Sequence, residues 1–195
     1  MASVVTTYFK EKIELEVNAS LMEPKPARDF AGGNYLDPKR VYFADQSRFY
    51  AEYRAVLVIT AWVRNASGVP KNFAIPVDGD DERLLFEAAK AFASGDETVI
   101  SDVKDIPKLT ALLEGQPPAV RREVLDFFAK QHYISFVSLP IEFAGQIVAV
   151  LNIQSNKPNI FGENEYYATD IKRYISPLLS IMGILLWRES LISSR

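Results

Sequence analysis

The sequence predicts a mixed α/β (α+β) domain: a central, mainly antiparallel sheet with helices on both faces and long helices at the two ends. Three observations carry this. Apolar, β-branched runs at Ala55–Val63, Ile134–Ile141 and Gln146–Ile153 alternate with blocks of helical spacing. The last two runs are joined through Phe143-Ala-Gly-Gln146, a hairpin connection. The final block carries Ile171, Ile175, Leu178, Met182 and Leu185 at alternating intervals of four and three.

In chain order, Val5, Phe9, Ile13, Val17 and Leu21 form a stripe at spacing four, which predicts a helix over residues 3–21. Within it, Ile13-Glu-Leu-Glu-Val17 also alternates as a strand would. Glu23-Pro-Lys-Pro through Gly32-Gly-Asn34 reads as a loop or linker. Asp37-Pro38 resembles an N-cap with proline at the first helical position, and Tyr42, Gln46, Phe49, Tyr50 and Tyr53 extend a helix to about residue 53. These elements divide the chain into an N-terminal helical extension with a Pro/Gly linker, residues 1–50, and a domain over residues 51–195.

Ala55–Val63 is then a buried strand, Asn65-Ala-Ser-Gly68 its turn, and Lys71–Val77 an antiparallel partner whose Pro76 places its end at a sheet edge or a strand terminus. A helix over 80–93 is closed by Gly95, a short strand spans Thr98–Ser101, and a further helix runs from Ala119 to Gln131. The final helix begins near Glu163 and is bent by Pro177. Ile181, Ile184, Leu186 and Trp187 lie off its apolar seam, so one face can cover the sheet while another meets a partner subunit. The sheet is therefore expected to carry the terminal helices on one face and the 80–132 segment on the other.

Composition narrows the function. Of 195 residues 48% are hydrophobic and 24% charged, which suits one soluble domain with a sizeable core. A net charge of -3 leaves no basic footprint for nucleic acid. No apolar run reaches the roughly 20 residues of a spanning helix, and the N-terminus has no signal-peptide pattern. Zero cysteines exclude disulfide scaffolds, thiol nucleophiles and thiolate zinc sites, and suit a reducing, cytoplasmic setting. The Asn-x-Ser triplets at Asn18 and Asn65 read as chance without a secretory signal. No Gly-rich phosphate loop, nucleophile elbow or His-based metal motif is present. The expectation is a protein that is not an enzyme, with no cofactor and no metal.

The region 55–188 resembles a GAF domain. The residues that carry this are Phe136-Val-Ser-Leu-Pro-Ile141, then Gly145-Gln-Ile-Val-Ala-Val-Leu-Asn-Ile-Gln-Ser155, then Asn156-Lys157 with Phe161 and Glu165. Upstream, Phe86 to Gly95 followed by Glu97-Thr-Val-Ile-Ser-Asp-Val103 is similar to the family's helix–Gly–strand step. The resemblance implies a GAF/PAS-like fold and a bacterial-type regulatory domain of signal transduction. Such a domain senses a small molecule between the sheet and the 80–132 segment and relays binding through its terminal helices, commonly as a dimer. It implies that Asn156, Lys157, Phe161 and Glu165 support the pocket. The family pattern has Asp where this chain has Asn164, so an ion pair of Lys157 has to use Glu163 or Glu165, and a cyclic-nucleotide ligand is disfavoured. The enzymatic branch considered, a free-methionine-sulfoxide reductase, requires cysteines and is excluded on that chemistry.

Candidate ligand contacts follow from where these elements meet: Trp62, Phe86, Phe127, Phe128, Tyr133, Phe136 and Ser138 on expected inward faces, Arg121 as an anion contact, and His132 at the rim. Most of the aromatics also serve as core. Arg121-Arg122 also suits a solvated helix face with i,i+4 pairs such as Arg122–Asp126, and a lone histidine also suits a solvated surface. Asp78-Gly-Asp-Asp-Glu82 offers clustered oxygens to a hard cation, but lacks a ligand-loop spacing and suits helix capping better. Two functions of different class remain: a small-molecule sensor, or a ligand-free dimerisation and interaction module with the same fold.

Overall fold

A computed structural model describes residues 15–27, 41–44, 53, 55–63, 73–77, 87–162 and 165–193. Six strands form one sheet: β1 (Val17–Pro26), β2 (Ala55–Val63), β3 (Ala74–Val77), β4 (Thr98–Ile100), β5 (Ser135–Phe143) and β6 (Gln146–Ser155). Their order across the sheet is β3-β2-β1-β6-β5-β4, and every neighbouring pair is antiparallel. Four helices accompany them: α1 (Ala88–Ser94), α2 (Ile106–Leu112), α3 (Pro118–Lys130) and α4 (Glu165–Ser193).

The β5–β6 hairpin turns at Ala144-Gly145, whose φ values of 52° and 78° give the left-handed pair of a two-residue hairpin loop. β3 ends the sheet, which is where Pro76 can forgo a backbone donor. Gly95 closes α1 in the left-handed conformation at φ 77°, its N–H reaching Ala91 O at 3.0 Å. Asp105 caps α2 by accepting from Lys108 N at 3.1 Å.

The expected N-terminal helix is overturned where it can be seen. Residues 17–26 form β1, paired to β6 over Val17–Met22 and to β2 from Ala19 to Pro26. A stripe at spacing four is compatible with both periods, because four is a multiple of two and close to 3.6. Val17 and Leu21 share a face of a strand as readily as a face of a helix. Pro24 and Pro26 sit beyond the last β6 partner, where β1 has β2 alone beside it. β1 lies before residue 50 and stands mid-sheet. The helix expected over 37–53 is absent at 41–44, where Val41 bridges Ala74 in parallel and the chain bends at Phe43. The rest of the stretches expected as helices over 3–21 and 37–53, and the start of the one over 80–93, lie outside the described residues.

Along β5 the seven residues Ser135–Ile141 are all buried, so both faces of the sheet are covered. On one face α4 packs Ala168, Ile171, Ile175, Leu179, Met182 and Leu186 onto Val137, Leu139, Ile141, Ala149 and Phe161. The expected seam is corrected in register: Leu179 and Leu186 turn inwards, while Leu178 and Leu185 are each 53% exposed. The helix keeps 3.6 residues per turn, and its buried stripe drifts by one position across Pro177. On the other face α1 and α3, with α2 behind, cover Met22, Leu57, Ile75, Phe136 and Val150. Among the described residues, no helix is long and apolar enough to cross a membrane.

Two contacts fix α4. At Gly183 the helix passes so close to the end of β5 that an added Cβ would lie 2.8 Å from Glu142 O. Nearer its start, Glu97 accepts from Lys172 Nζ at 2.8 Å and from the Thr169 hydroxyl. Burial pushes the Glu97 carboxyl up, but these bonds outweigh it and hold the group below its ordinary value of 4.5.

Alanine ordinarily stabilises a helix over glycine, by about 1 kcal/mol. The contact with Glu142 reverses this, so Gly183→Ala is expected to destabilise by about 1–3 kcal/mol, read as a lower urea midpoint with an unchanged slope. Because the Glu97 carboxyl is depressed, its contribution is complete above 4.5 and disappears as pH falls through the lower folded value. Glu97→Gln is therefore expected to be less stable than the native chain at pH 7 and to converge with it near pH 3 in parallel urea titrations. A stability gap that is the same at both values would refute the ion pair.

Candidate functional site

Between the sheet and the α1/α3 layer lies a cavity of about 50 Å³. A cavity needs roughly 10–15 Å³ to hold one water, so this one takes about four, or a ligand of few heavy atoms. Its apolar walls come from Met22 on β1, Ile75 on β3, Ala88 on α1 and six rings: Phe43, Phe73, Phe127, Phe128, Tyr133 and Phe136. Its polar groups are Glu87, Ser138, Asn152 and Gln154.

The rings form a continuous array. Phe43 meets Phe127 edge-to-face at 5.3 Å, Phe127 meets Phe128 at 5.3 Å, and Phe128 stacks on Phe136 at 5.8 Å. Tyr133 stands edge-on to both Phe128 and Phe136 at 5.9 and 6.1 Å. Tyr42 and Phe73 extend the array behind them, stacked at 4.8 Å. Such pairs are worth about 0.5–1.5 kcal/mol each beyond their burial, and they fix ring orientations.

Three devices position this wall. On α3 the spacing of Val120, Val124 and Phe128 buries one stripe, which sets Phe128 and its neighbour Phe127 against the cavity. The C-terminal end of α3 is gathered by Lys104, whose Nζ donates to the carbonyls of Phe128 (2.6 Å), Gln131 (3.0 Å) and Ala129 (3.3 Å). A cation there satisfies carbonyls with no intrahelical partner and opposes the helix dipole. Phe43, held at a left-handed φ of 61°, donates its backbone N–H to the half-buried Glu123 carboxylate at 3.1 Å. Burial pushes the Glu123 carboxyl up, partly opposed by that bond.

The cavity-side face of the sheet has a polar row, of which Ser138 and Asn152 line the cavity. Ser20, Asn152, Ser138 and Thr98 are direct partners across β1, β6, β5 and β4, so they share one face of the sheet. All four are buried, and Ser138 Oγ donates to Asn152 Oδ1 at 2.7 Å. Among the described residues, the hydroxyls of Ser20 and Thr98 have no hydrogen-bond partner. Burial pushes the Tyr133 phenol up, so it stays neutral at physiological pH. The arrangement can bind through hydrogen bonds and ring faces, and among the described residues no group of three or more His, Asp or Glu is placed to hold a metal.

Of the residues expected from sequence, Phe127, Phe128, Tyr133, Phe136 and Ser138 meet at the cavity. Trp62 does not: it is half-buried at the end of β2, opposite Ser20. Arg121, at the start of α3, is not among the lining residues, and His132 is exposed. Phe86 lies outside the described residues, as does Asp78–Glu82.

The motif residues act around the sheet's end. Asn156 clasps the start of β1, its Oδ1 accepting from Glu16 N at 3.0 Å. Lys157 uses its backbone, bonded to Ser135 Oγ at 2.6 Å and Ser155 Oγ at 3.1 Å. Phe161 is buried in the α4-side core, on the far face from the cavity. Glu165 opens α4, and an ion pair of Lys157 with Glu163 or Glu165 falls on side chains outside the described residues. The candidate contacts from sequence missed Met22, Phe43, Phe73, Ile75, Glu87, Ala88, Asn152 and Gln154. Asn152 had a signal, being the one polar residue within Ile147–Ile153.

The architecture is the one expected from sequence in its main lines: one antiparallel sheet with helical covers on both sides. Lys104→Met is expected to lower stability by about 1.5–3 kcal/mol, the range for hydrogen bonds to a charged group, and to loosen the ring array. The near-ultraviolet circular dichroism of the aromatics checks the second effect.

No family model matches the chain, and no curated protein matches it. Solved structures do. The type II free methionine-R-sulfoxide reductase from Thermoplasma acidophilum is 16% identical, with 95% of this chain and 88% of that one covered and a TM-score of 0.45. The GAF domain region of a protein from Geobacter sulfurreducens PCA is 13% identical, with 97% and 91% covered and a TM-score of 0.45. The A. aeolicus nlh2 GAF domain in an inactive state is 13% identical, with 97% and 81% covered and a TM-score of 0.43. Likeness at this level concerns the path of the chain and says nothing of ligand or chemistry.

Proposed function

We propose that this chain is a regulatory sensor domain, cytoplasmic and of bacterial type, that binds a small molecule between its sheet and the α1/α3 layer. The observation that carries this is the cavity itself. A concave space walled by aromatic rings and floored by a few placed polar groups is the usual form of a small-molecule site. The reading is a non-catalytic one. Ser138 is committed to Asn152, and the Tyr133 phenol is held neutral, which suits recognition rather than proton transfer.

Relay follows from connectivity. The cavity wall Phe136 and the α4-side core residues Val137 and Leu139 belong to the same strand, so a ligand that reorders the wall acts on a strand that α4 packs against. The ligand shifts the position of α4 only by its differential affinity for the two arrangements.

A second reading is favoured by a different observation. On α4, Tyr174, Leu178, Ile181 and Leu185 repeat at intervals of four, three and four, and are 85%, 53%, 56% and 53% exposed. Large apolar side chains in a heptad-like row suit a homodimer seam between terminal helices. A dimerisation and interaction module without ligand would use this row and leave the cavity dry.

Mass spectrometry of the purified protein, native and then denatured, separates the two. The sensor reading expects a small molecule that is retained in the native spectrum and lost on denaturation. A dimer mass with nothing bound, even after incubation with a metabolite extract, would support the interaction module and count against the sensor.

A further inference from the structure

Resting on that reading, the unpaired polar groups of the cavity lining go further and name a ligand class: we infer that the occupant is a small uncharged amide, a carboxamide no larger than acetamide.

Charge excludes first. Among the described residues that line the cavity there is no lysine, arginine or histidine. An anionic guest would lose its hydration there and meet no positive side chain. Glu87 is the one acidic residue of that lining, and it is already engaged within the protein, so it is no free counter-charge for a cation. An uncharged guest meets neither penalty.

The hydrogen-bonding groups select within the neutral class. Ser138 on β5 and Asn152 on β6 are direct cross-strand partners, both buried and both lining the cavity. Ser138 Oγ donates its proton to Asn152 Oδ1 at 2.7 Å. That bond leaves the lone pairs of the serine oxygen and the N–H2 group of Asn152, and neither has a further hydrogen-bond partner among the described residues. Asn152 is 6% exposed, so solvent is no ready substitute. Gln154 stands two residues along β6, on the same face and about 7 Å away. It also lines the cavity, and its side-chain amide has no hydrogen-bond partner among the described residues. Buried amides left unpaired are costly, and native structures pair the large majority of them. Here the pairing falls to a guest. An acceptor on Ser138 and a donor on Asn152 lie side by side, and Gln154 can serve as either. The guest that satisfies them carries a carbonyl oxygen and an N–H group on one edge, as a carboxamide does. A ketone offers the acceptor alone.

Size and the remaining walls set the limit. About 50 Å³ takes roughly four waters, so the guest has about four non-hydrogen atoms, the size of acetamide. Apart from Glu87, the polar lining groups all lie on β5 and β6, while Met22, Ile75, Ala88 and the rings supply apolar walls. Such a lining suits a guest with one polar edge and one methyl group.

The test is an isosteric series titrated into the isotope-labelled chain: acetamide, acetate, acetamidinium and acetone. They share a planar shape and size, and differ in charge or in the hydrogen-bonding edge. Binding is read from the shifts of the side-chain amide signals by NMR at matched ionic strength. Acetamide is expected to bind at least tenfold more tightly than each of the other three. In Gln154→Met, with folding checked by circular dichroism, its advantage over acetone is expected to fall to within about twofold. If Gln154→Met does not fold, the wild-type series decides alone. Any of the other three binding as tightly as acetamide, or an advantage over acetone that survives intact in folded Gln154→Met, would overturn the amide inference and leave a sensor of another ligand standing. No binding by any of the four would also overturn it, and the co-purification result would then judge the sensor reading separately.

Discussion

β5 is buried along both faces from Ser135 to Ile141, and the rest of the molecule follows from that one constraint. A strand without a solvent side needs two covers, and its odd and even residues need different partners. Val137, Leu139 and Ile141 meet α4, while Phe136 and Ser138 meet the α1/α3 layer. The hairpin with β6 locks the register that keeps these sets apart, because a slip of one residue would exchange every contact.

The two covers differ in kind. The α4 side is filled by aliphatic residues together with Phe161, and Gly183 lets the helix approach the end of β5 to backbone contact. The other side is built from rings, which are rigid and leave space where they meet. That side also holds the polar row of Ser20, Asn152, Ser138 and Thr98. Burying such groups is costly unless they find partners. Of the four, Ser138 and Asn152 pair with each other and line the cavity.

Both covers are tied to the sheet by charged side chains at their ends. Lys104 gathers the last carbonyls of α3, and Lys172 reaches Glu97 just before β4. Neither tie is deep in the core. Of the two helices so held, α3 faces the cavity and α4 presents an apolar row outwards.

The sequence by itself determined the elements whose signals are local. The β5–β6 hairpin followed from alternation and an Ala-Gly turn, α1's end from Gly95 and α3 from its stripe, and Pro76 pointed to a sheet edge or a strand terminus for β3. Phe127, Phe128, Tyr133, Phe136 and Ser138 were legible as cavity residues because they fall on the inward faces of those elements. What only the tertiary structure decided was non-local. β1 carries a spacing of four that serves helix and strand alike, and only pairing with β2 and β6 makes it a strand. Phe43 reaches the wall through a left-handed backbone pinned by Glu123, eighty residues away in sequence. The α4 stripe is set by which residues meet β5, and so Leu179 and Leu186 replace Leu178 and Leu185. Periodicity specifies an element and its apolar face, but which of two compatible periods is used, and which residue ends up beside another from a distant strand, depends on contacts that one-dimensional spacing does not contain.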